Sequence, residues 1–199
     1  VLILILLFVY SSYDTPSTPR RTINEDKDNG KSEAVIKQRS KPEATAQVSL
    51  WRTNTSSDEM TGKLKAFAHS PIVSPEKRMS FPYHDVNSWM GVGCDNDNEW
   101  VYVGFNHSPN ISNDENQDGY SIIKTRLKWD EEIESIVLTQ EWGAKFLNFK
   151  NDAQVITRIE TSETVMLELK WHGEQSIHFE YPLTGSKKAI SHIRNLCKS

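Results

Sequence analysis

Apolar and polar residues alternate along much of the chain with a period of two. In residues 121–129 the side chains of Ile123, Leu127 and Trp129 fall on one side of an extended strand, and basic side chains fall on the other. Residues 165–171 repeat this arrangement. Such alternation is typical of antiparallel strands that have one buried and one solvated face. Shorter segments of the same character are residues 48–54, 62–69, 87–94, 100–105, 133–140, 155–160 and 176–181.

Turn-forming residues separate these segments, most clearly at residues 95–98, 129–132 and 172–174. Many short strands at such spacing predict a mainly β protein, either a β-sandwich or a barrel. We expect an antiparallel β-sandwich. Residues 144–151, after Gly143, are predicted to form a short internal helix. At the C terminus, apolar residues recur at helical spacing and predict an amphipathic helix. These residues are Ala189, Ile190, Ile193, Leu196 and Cys197.

The N-terminal part of the chain does not follow this pattern. Residues 1–10 form an uninterrupted apolar run, which suits the core of a secretory signal but is shorter than the ~20 residues that a spanning helix needs. We expect it to belong to an export signal or a membrane anchor; a buried strand is the competing interpretation. Residues 11–46 are rich in proline and charge, which predicts a disordered linker before a domain of residues 47–199.

The chain has two cysteines, Cys94 and Cys197. Outside the cytosol such a pair is usually oxidised, so one disulfide is the simplest interpretation. The bridge would tie the last residues of the chain to the middle of the fold. A metal site is the weaker alternative, because the two thiols lack the close spacing that zinc ligands have.

Composition limits the function. The 199 residues carry a formal net charge of −4, and the 23 basic and 27 acidic residues are interleaved. Because no basic block is present to neutralise phosphates, composition argues against nucleic-acid binding. The sequence contains no nucleophile elbow and no glycine-rich phosphate loop. We therefore expect a protein that is not an enzyme and that needs no cofactor.

One local motif suggests a cation. Asp114, Asn116, Asp118 and Gly119 match the first half of a calcium-binding loop. The position of the closing bidentate glutamate is taken by Thr125, within a predicted strand. An Asn- and Asp-rich turn between strands explains the same residues without a metal, so the calcium-dependent module is a minor alternative.

Six tryptophans are many for this length. Trp129 and Trp171 share a face with aliphatic residues, so we expect both in the core. Trp142 lies between Glu141 and Gly143, and we expect it to be exposed. An exposed aromatic residue of this kind suits a domain that binds a glycan or a peptidoglycan fragment, which is the alternative function.

The order of landmarks from Trp51 to Cys197 resembles that of the VasI/TagO family of type VI secretion accessory proteins. Trp51 opens a strand, residues 57–61 precede the next strand, and a further strand ends in Cys94. Residues 100–105, 144–151 and 155–160 follow, and the closing segment runs from residue 185 to 197. The resemblance covers about three-quarters of the chain.

This resemblance implies an exported, mainly β domain with a disulfide and a non-enzymatic role in assembling an envelope-spanning machine. It implies a periplasmic location, tethered to the inner membrane or released from it, with envelope or secretion-machine proteins as partners. The chain departs from the family in one respect: residues 11–46 contain no cysteine, where full members carry a cysteine-containing segment. The secretion role is the part of the expectation that this difference affects.

Two surfaces accompany the family pattern without an evident role in the core, and we predict that they contact a partner. One is the loop with Asp58 and Thr61, which lies between two predicted strands. The other is the basic side of the last helix, with Lys187, Lys188 and Arg194.

Overall fold

The strands pair in one antiparallel sheet of ten strands. The computed structural model describes residues 49–96 and 98–198, all within the unit Ala44–Ser199. The sheet order is β1-β2-β3-β4-β8-β7-β6-β9-β10, and β5 pairs with β6 beside this path. The strands are β1 (Arg52–Ser57), β2 (Leu64–His69), β3 (Ser88–Asp95), β4 (Asn98–Phe105), β5 (Asp114–Gln117), β6 (Tyr120–Trp129), β7 (Glu132–Glu141), β8 (Phe146–Phe149), β9 (Thr164–Lys170) and β10 (Ser176–Pro182); the helices are α1 (Asp152–Thr161) and α2 (Ser186–Cys197).

The sheet bends so that its two ends meet. Next to β1, the Trp51 indole Nε1 donates a hydrogen bond to the carbonyl of Pro182 at the end of β10, at 2.9 Å. In the interior, the Ser88 hydroxyl of β3 lies 2.7 Å from the Tyr181 hydroxyl of β10. Two strand layers therefore face each other across one core, and the predicted antiparallel β-sandwich architecture is confirmed.

In the strands other than β1 and β5, which have no buried residue, alternate residues point into this core. The inward positions are almost entirely apolar, as the period-two pattern predicts. Phe105, Trp171 and Phe179 form the aromatic centre, with ring centroids 5.6 to 6.4 Å apart. Trp129 and Trp171 are both fully buried, which confirms their predicted place in the core.

Helix α2 packs on the inner side of β2 and β3. The inward residues of β2 are Ala66 and Ala68, whose small side chains let the apolar side of the helix, with Ile190 and Ile193, approach the sheet closely. The Cys94–Cys197 disulfide joins β3 to the last turn of α2, with the two Cα atoms 6.2 Å apart. The C-terminal amphipathic helix and the disulfide are both confirmed.

Two of the predicted segments are wrong in type. Residues 144–151 were expected to be helical, but Leu147 and Phe149 point inward and Phe146 and Asn148 outward, which is the alternation of a strand, and β8 pairs with β4 and β7. Residues 155–160 were expected to form a strand, but they belong to α1. The internal helix exists, therefore, one element later in the chain than expected.

The cause of the second error lies in residue type. Val155, Ile156 and Ile159 are β-branched, which favours strands, yet their spacing places all three on one side of a helix, where they are buried. Tertiary burial of this apolar stripe outweighs the intrinsic strand preference of the residues.

Residues 1–10 and 11–46, predicted to be a signal or anchor and a linker, lie outside the described residues. Within residues 49–96 and 98–198, neither helix combines the length and hydrophobicity needed to cross a membrane. The predicted strand at residues 48–54 is found as β1, which begins at Arg52 and continues to Ser57.

Candidate binding face

Aromatic residues and glycines face each other across β3 and β4 on the outer side of the sheet. Three cross-strand pairs repeat this combination: Trp89 with Gly104, Tyr102 with Gly91, and Trp100 with Gly93. A Cβ atom added to any of these glycines would overlap the aromatic ring of its partner. Each ring therefore occupies the space over a glycine Cα and lies against the sheet, a packing arrangement that compensates strand glycines.

Two further rings border these three. Phe67 of β2 meets Trp100 edge to face at a centroid distance of 6.0 Å, with planes 78° apart. Phe146 of β8 meets Tyr102 at 5.6 Å and Trp89 at 6.3 Å, with both pairs of planes 83° apart. The bordering rings thus stand at steep angles to the rings that lie on the sheet. We call Phe67, Trp89, Trp100, Tyr102 and Phe146 together the aromatic face.

The aromatic face remains partly open to solvent. Phe146 is 44% exposed, and the other four residues have intermediate burial. Phe67, Trp89, Tyr102 and Phe146, with Asn54, His69 and Ile72, line a shallow groove of about 410 Å³. Contiguous exposed aromatic surface is uncommon on soluble domains and marks sites where a ligand or partner binds.

Hydrogen-bonding side chains form a row between the rings. The row crosses neighbouring strands from β1 to β8. In that order the strand register aligns Arg52, His69, Gly91, Tyr102 and Asn148. All five positions lie on the outer side of the sheet. A ligand that lies across the strands would meet this row and the rings on both sides of it.

Tyr102 and His69 can each offer a group to a ligand. Burial raises the pKa of the Tyr102 phenol, although a hydrogen bond from the Trp89 indole opposes the shift. The phenol therefore stays protonated and its O–H is a donor. His69 Nδ1 lies 3.1 Å from the Ser70 carbonyl, so in the neutral ring Nδ1 carries the proton and Nε2 is an acceptor.

Trp142, predicted to be exposed, is 84% exposed in the turn between β7 and β8. It lines a second groove of about 640 Å³ with Tyr120, Asp118 and Lys150 among its neighbours, and this groove shares Asn148 with the row described above. The expectation of an exposed tryptophan is confirmed. In contrast to the aromatic face, this groove is lined mainly by polar and charged residues.

The predicted partner loop between β1 and β2 is a tight turn. Asp58 Oδ1 accepts hydrogen bonds from the backbone N–H groups of Met60 at 3.0 Å and Thr61 at 2.7 Å. The bond from the Thr61 backbone is the main cause that lowers the pKa of Asp58. Asp58 therefore holds the turn in place, while the Met60 side chain projects into solvent.

On α2 the predicted basic surface divides into two parts. Lys187 and Lys188 are exposed. Arg194 instead makes ion pairs with Glu99 of β4, at 2.5 Å from Nε, and with Glu160 of α1, at 2.6 Å from Nη1. These two carboxylates raise the pKa of Arg194. Arg194 thus holds α2 against its neighbours, and a partner that needs free cations would meet Lys187 and Lys188.

The calcium-like segment forms an edge strand and a turn. Asp114 and Asn116 lie on β5, and Asp118 with Gly119 forms the turn into β6. Asn116 Oδ1 accepts a hydrogen bond from the Ser121 hydroxyl at 3.1 Å. Among the described residues, no group of three or more His, Cys, Asp or Glu side chains is arranged to hold a metal ion.

Charged residues on the other half of the outer surface pair with one another. Arg126 of β6 donates to both carboxylate oxygens of Glu168 on β9, at 3.0 and 2.7 Å. His178 of β10 lies 3.3 Å from Glu168 through Nε2 and 4.0 Å from Glu76 through Nδ1. The Arg126 guanidinium lowers the pKa of Glu168, and partial burial opposes it. This cluster satisfies its charges within the fold.

The aromatic face was missed at the level of sequence. The sequence nevertheless contains a signal for it. Alternate positions are Trp, Gly and Gly in residues 89–93, and Trp, Tyr and Gly in residues 100–104. Alternation alone does not distinguish inner from outer positions. The neighbouring Val92, Val101 and Val103 occupy the core instead.

The fold and the face define a disulfide-linked antiparallel β-sandwich with exposed aromatic side chains on one outer surface. Comparison of the chain with protein-family models, with curated proteins and with solved structures finds no match. The resemblance to the VasI/TagO family stays a prediction.

Proposed function

We propose that this chain is an exported, non-enzymatic binding domain that holds its ligand on the aromatic face. The observation that supports this proposal is the partial exposure of five clustered aromatic side chains on the outer side of a sheet whose inner side has its own apolar core. Rings that are not needed to fill the core contribute apolar contact area to a ligand instead.

Export is supported by the Cys94–Cys197 disulfide, because structural disulfides form and persist mainly outside the cytosol. The apolar residues 1–10 are the second support, as part of a signal or anchor. Together they favour a location in the cell envelope, where the periplasm and the surface of the inner membrane are the places that the family resemblance implies.

The test is binding to envelope material. Full-length protein is mixed with the insoluble envelope fraction of the source cells and centrifuged, with detergent present so that the apolar residues 1–10 do not cause sedimentation. We expect the wild type to sediment and Phe146→Ala to stay largely in solution. The matched control is Phe81→Ala, since Phe81 is an exposed aromatic residue of the β2–β3 loop that does not line the groove of the aromatic face. Equal sedimentation of wild type and Phe146→Ala would refute the proposal.

A second candidate function follows from the family resemblance and from the exposed pair Lys187 and Lys188 on α2. In this proposal the domain supports assembly of a type VI secretion system by binding an envelope protein through α2. The double variant Lys187→Glu with Lys188→Glu should then lose co-purifying secretion components. Arg194 is left unchanged, because its reversal would break the ion pairs with Glu99 and Glu160. Unchanged co-purification would exclude this surface of α2 as the contact site.

A further inference from the structure

We infer that the ligand of the aromatic face is a neutral polysaccharide chain that lies across the strands. The inference rests on the proposed function and specifies the ligand of the same site. It follows from three properties of the face: the orientation of its rings, the chemistry of the side chains between them, and the charge at its outer positions.

The first property is that ring faces, rather than ring edges, cover the sheet. Trp89, Trp100 and Tyr102 lie over Gly104, Gly93 and Gly91, so the side of each ring that remains accessible is a π face. The C–H groups on one side of a pyranose ring carry a small positive charge and pack well on such a face. A protein ligand that presents aliphatic side chains would not require the π faces of the rings to be turned outward.

The second property is the row of hydrogen-bonding groups. His69 offers a ring nitrogen, Tyr102 an O–H group, and Asn148 both a carbonyl oxygen and an amide. Sugar hydroxyls are donors and acceptors at once, and they satisfy such a mixed row. The row crosses β2, β3, β4 and β8, so a chain bound to it runs across the strands over about 15 Å, at about 4.8 Å per strand.

The third property is that, in the described strands, no cluster of like charges borders the rings. The outer positions beside them are Arg52, Asn54, His69 and Asn148, and one register step beyond Phe67 and Trp100 lie Lys65 and Asp95, which are opposite each other and of opposite sign. Single-stranded nucleic acid also stacks on aromatic side chains, but its phosphates need several cations along the path. A neutral ligand matches the face best.

The experiment measures binding of purified neutral oligosaccharides to the full-length protein. The probes are hexasaccharides of β-1,4-linked glucose, β-1,4-linked N-acetylglucosamine, α-1,4-linked glucose, β-1,4-linked mannose and β-1,4-linked xylose. Tryptophan fluorescence is followed up to about 1 mM ligand, which detects affinities typical of weak sites. We expect at least one probe to shift the emission of the wild type.

Variants locate the site. Phe146→Ala and Trp100→Ala should each weaken binding about ten-fold, as expected for the loss of one aromatic contact. Tyr102→Phe keeps the ring and removes only its hydroxyl, so it tests the row of donors in a protein with intact packing. Trp142→Ala tests the neighbouring groove, which shares Asn148 with the row. Phe81→Ala is the matched control, since it removes an exposed aromatic residue that does not line the groove of the aromatic face, and it should leave the affinity unchanged.

Each outcome is decisive. No response of the wild type to any of the five probes would overturn the inference, and so would loss of binding in Trp142→Ala without loss in Phe146→Ala. If protease treatment of the envelope fraction abolishes sedimentation of the wild type, the ligand is a protein: the glycan inference then fails and the proposed binding function stands. If Phe146→Ala sediments like the wild type, the proposed function itself fails.

Discussion

The disulfide between Cys94 and Cys197 allows a quantitative prediction. It closes a loop across a sequence separation of 103 residues, and for a loop of this length the loss of denatured-state entropy corresponds to about 4.7 kcal/mol at 25 °C. Native disulfides of similar domains contribute about 2 to 5 kcal/mol when measured. We therefore expect the unfolding free energy of the double variant Cys94→Ala with Cys197→Ala to be about 2 to 5 kcal/mol lower than that of the wild type.

The assay is urea-induced unfolding followed by tryptophan fluorescence, because the buried Trp129 and Trp171 become exposed on unfolding. The variant should have a lower midpoint. Its m-value should be higher, since removing a cross-link makes the denatured state less compact and increases the surface that unfolding exposes. The single variant Cys197→Ala is the matched control. It should be destabilised by nearly as much as the double variant, because either change removes the same cross-link.

One result would refute this reasoning directly. If the wild type, Cys197→Ala and the double variant share one midpoint and one m-value, then the two cysteines do not constrain the denatured chain. Alkylation of the unfolded wild type without reductant gives an independent check. We expect no free thiol, and two free thiols would contradict both the cross-link and the proposed location outside the cytosol.

Three further changes test the sheet. Glu168→Gln should lower the unfolding free energy by about 1 kcal/mol at pH 7. Because Arg126 lowers the folded-state pKa of Glu168, the contribution of the ion pair is present above pH about 4.3 and is lost as the pH falls through the lowered pKa. The urea-unfolding curves of the variant and the wild type should therefore converge in acid. Gly104→Ala should displace the Trp89 indole that lies over the glycine and cost about 1 to 3 kcal/mol, with acrylamide quenching of fluorescence increased; an unchanged quenching constant would contradict the packing. Asp130→Ala should cost about 1 kcal/mol by thermal or urea unfolding, since Asp130 accepts two backbone hydrogen bonds at the start of β9, whereas Asp130→Asn should cost less.

Most of the fold could be predicted from the sequence because one physical rule governs it. Strands with one buried face require period-two alternation, and β6 and β9 show it clearly. The two errors, at β8 and α1, concern segments shorter than about 11 residues, in which a few apolar residues satisfy both periods. Pairing of β8 with β4 is a long-range contact, and local pattern carries no information about it.

The aromatic face was harder to predict than the fold. The sequence pointed to Trp142 as an exposed aromatic residue, which is correct, and to Lys187 and Lys188 as exposed cations. It did not show that Arg194 pairs internally, because Glu99 and Glu160 are distant in sequence. The aromatic face depends on the register of β3 against β4, which brings each ring over a glycine, and register is a property of the folded sheet.

The stability cost of the glycines under the rings supports a ligand-binding role of the aromatic face. A glycine within a strand is less stable than alanine by about 0.5 to 1 kcal/mol where no ring covers it, so relative to ordinary strand pairs Gly91, Gly93 and Gly104 together cost about 1.5 to 3 kcal/mol. Under the rings a Cβ atom would clash, so this cost is removed only when both members of a pair are replaced. Contacts with the rings recover part of this cost, but a sheet with branched residues at these outer positions would be more stable. The cross-link from Cys94, on the inner side of the same β3, is of a size to offset it. The proposed ligand, bound to the rings, would account for a sequence that keeps this costly arrangement on its outer surface.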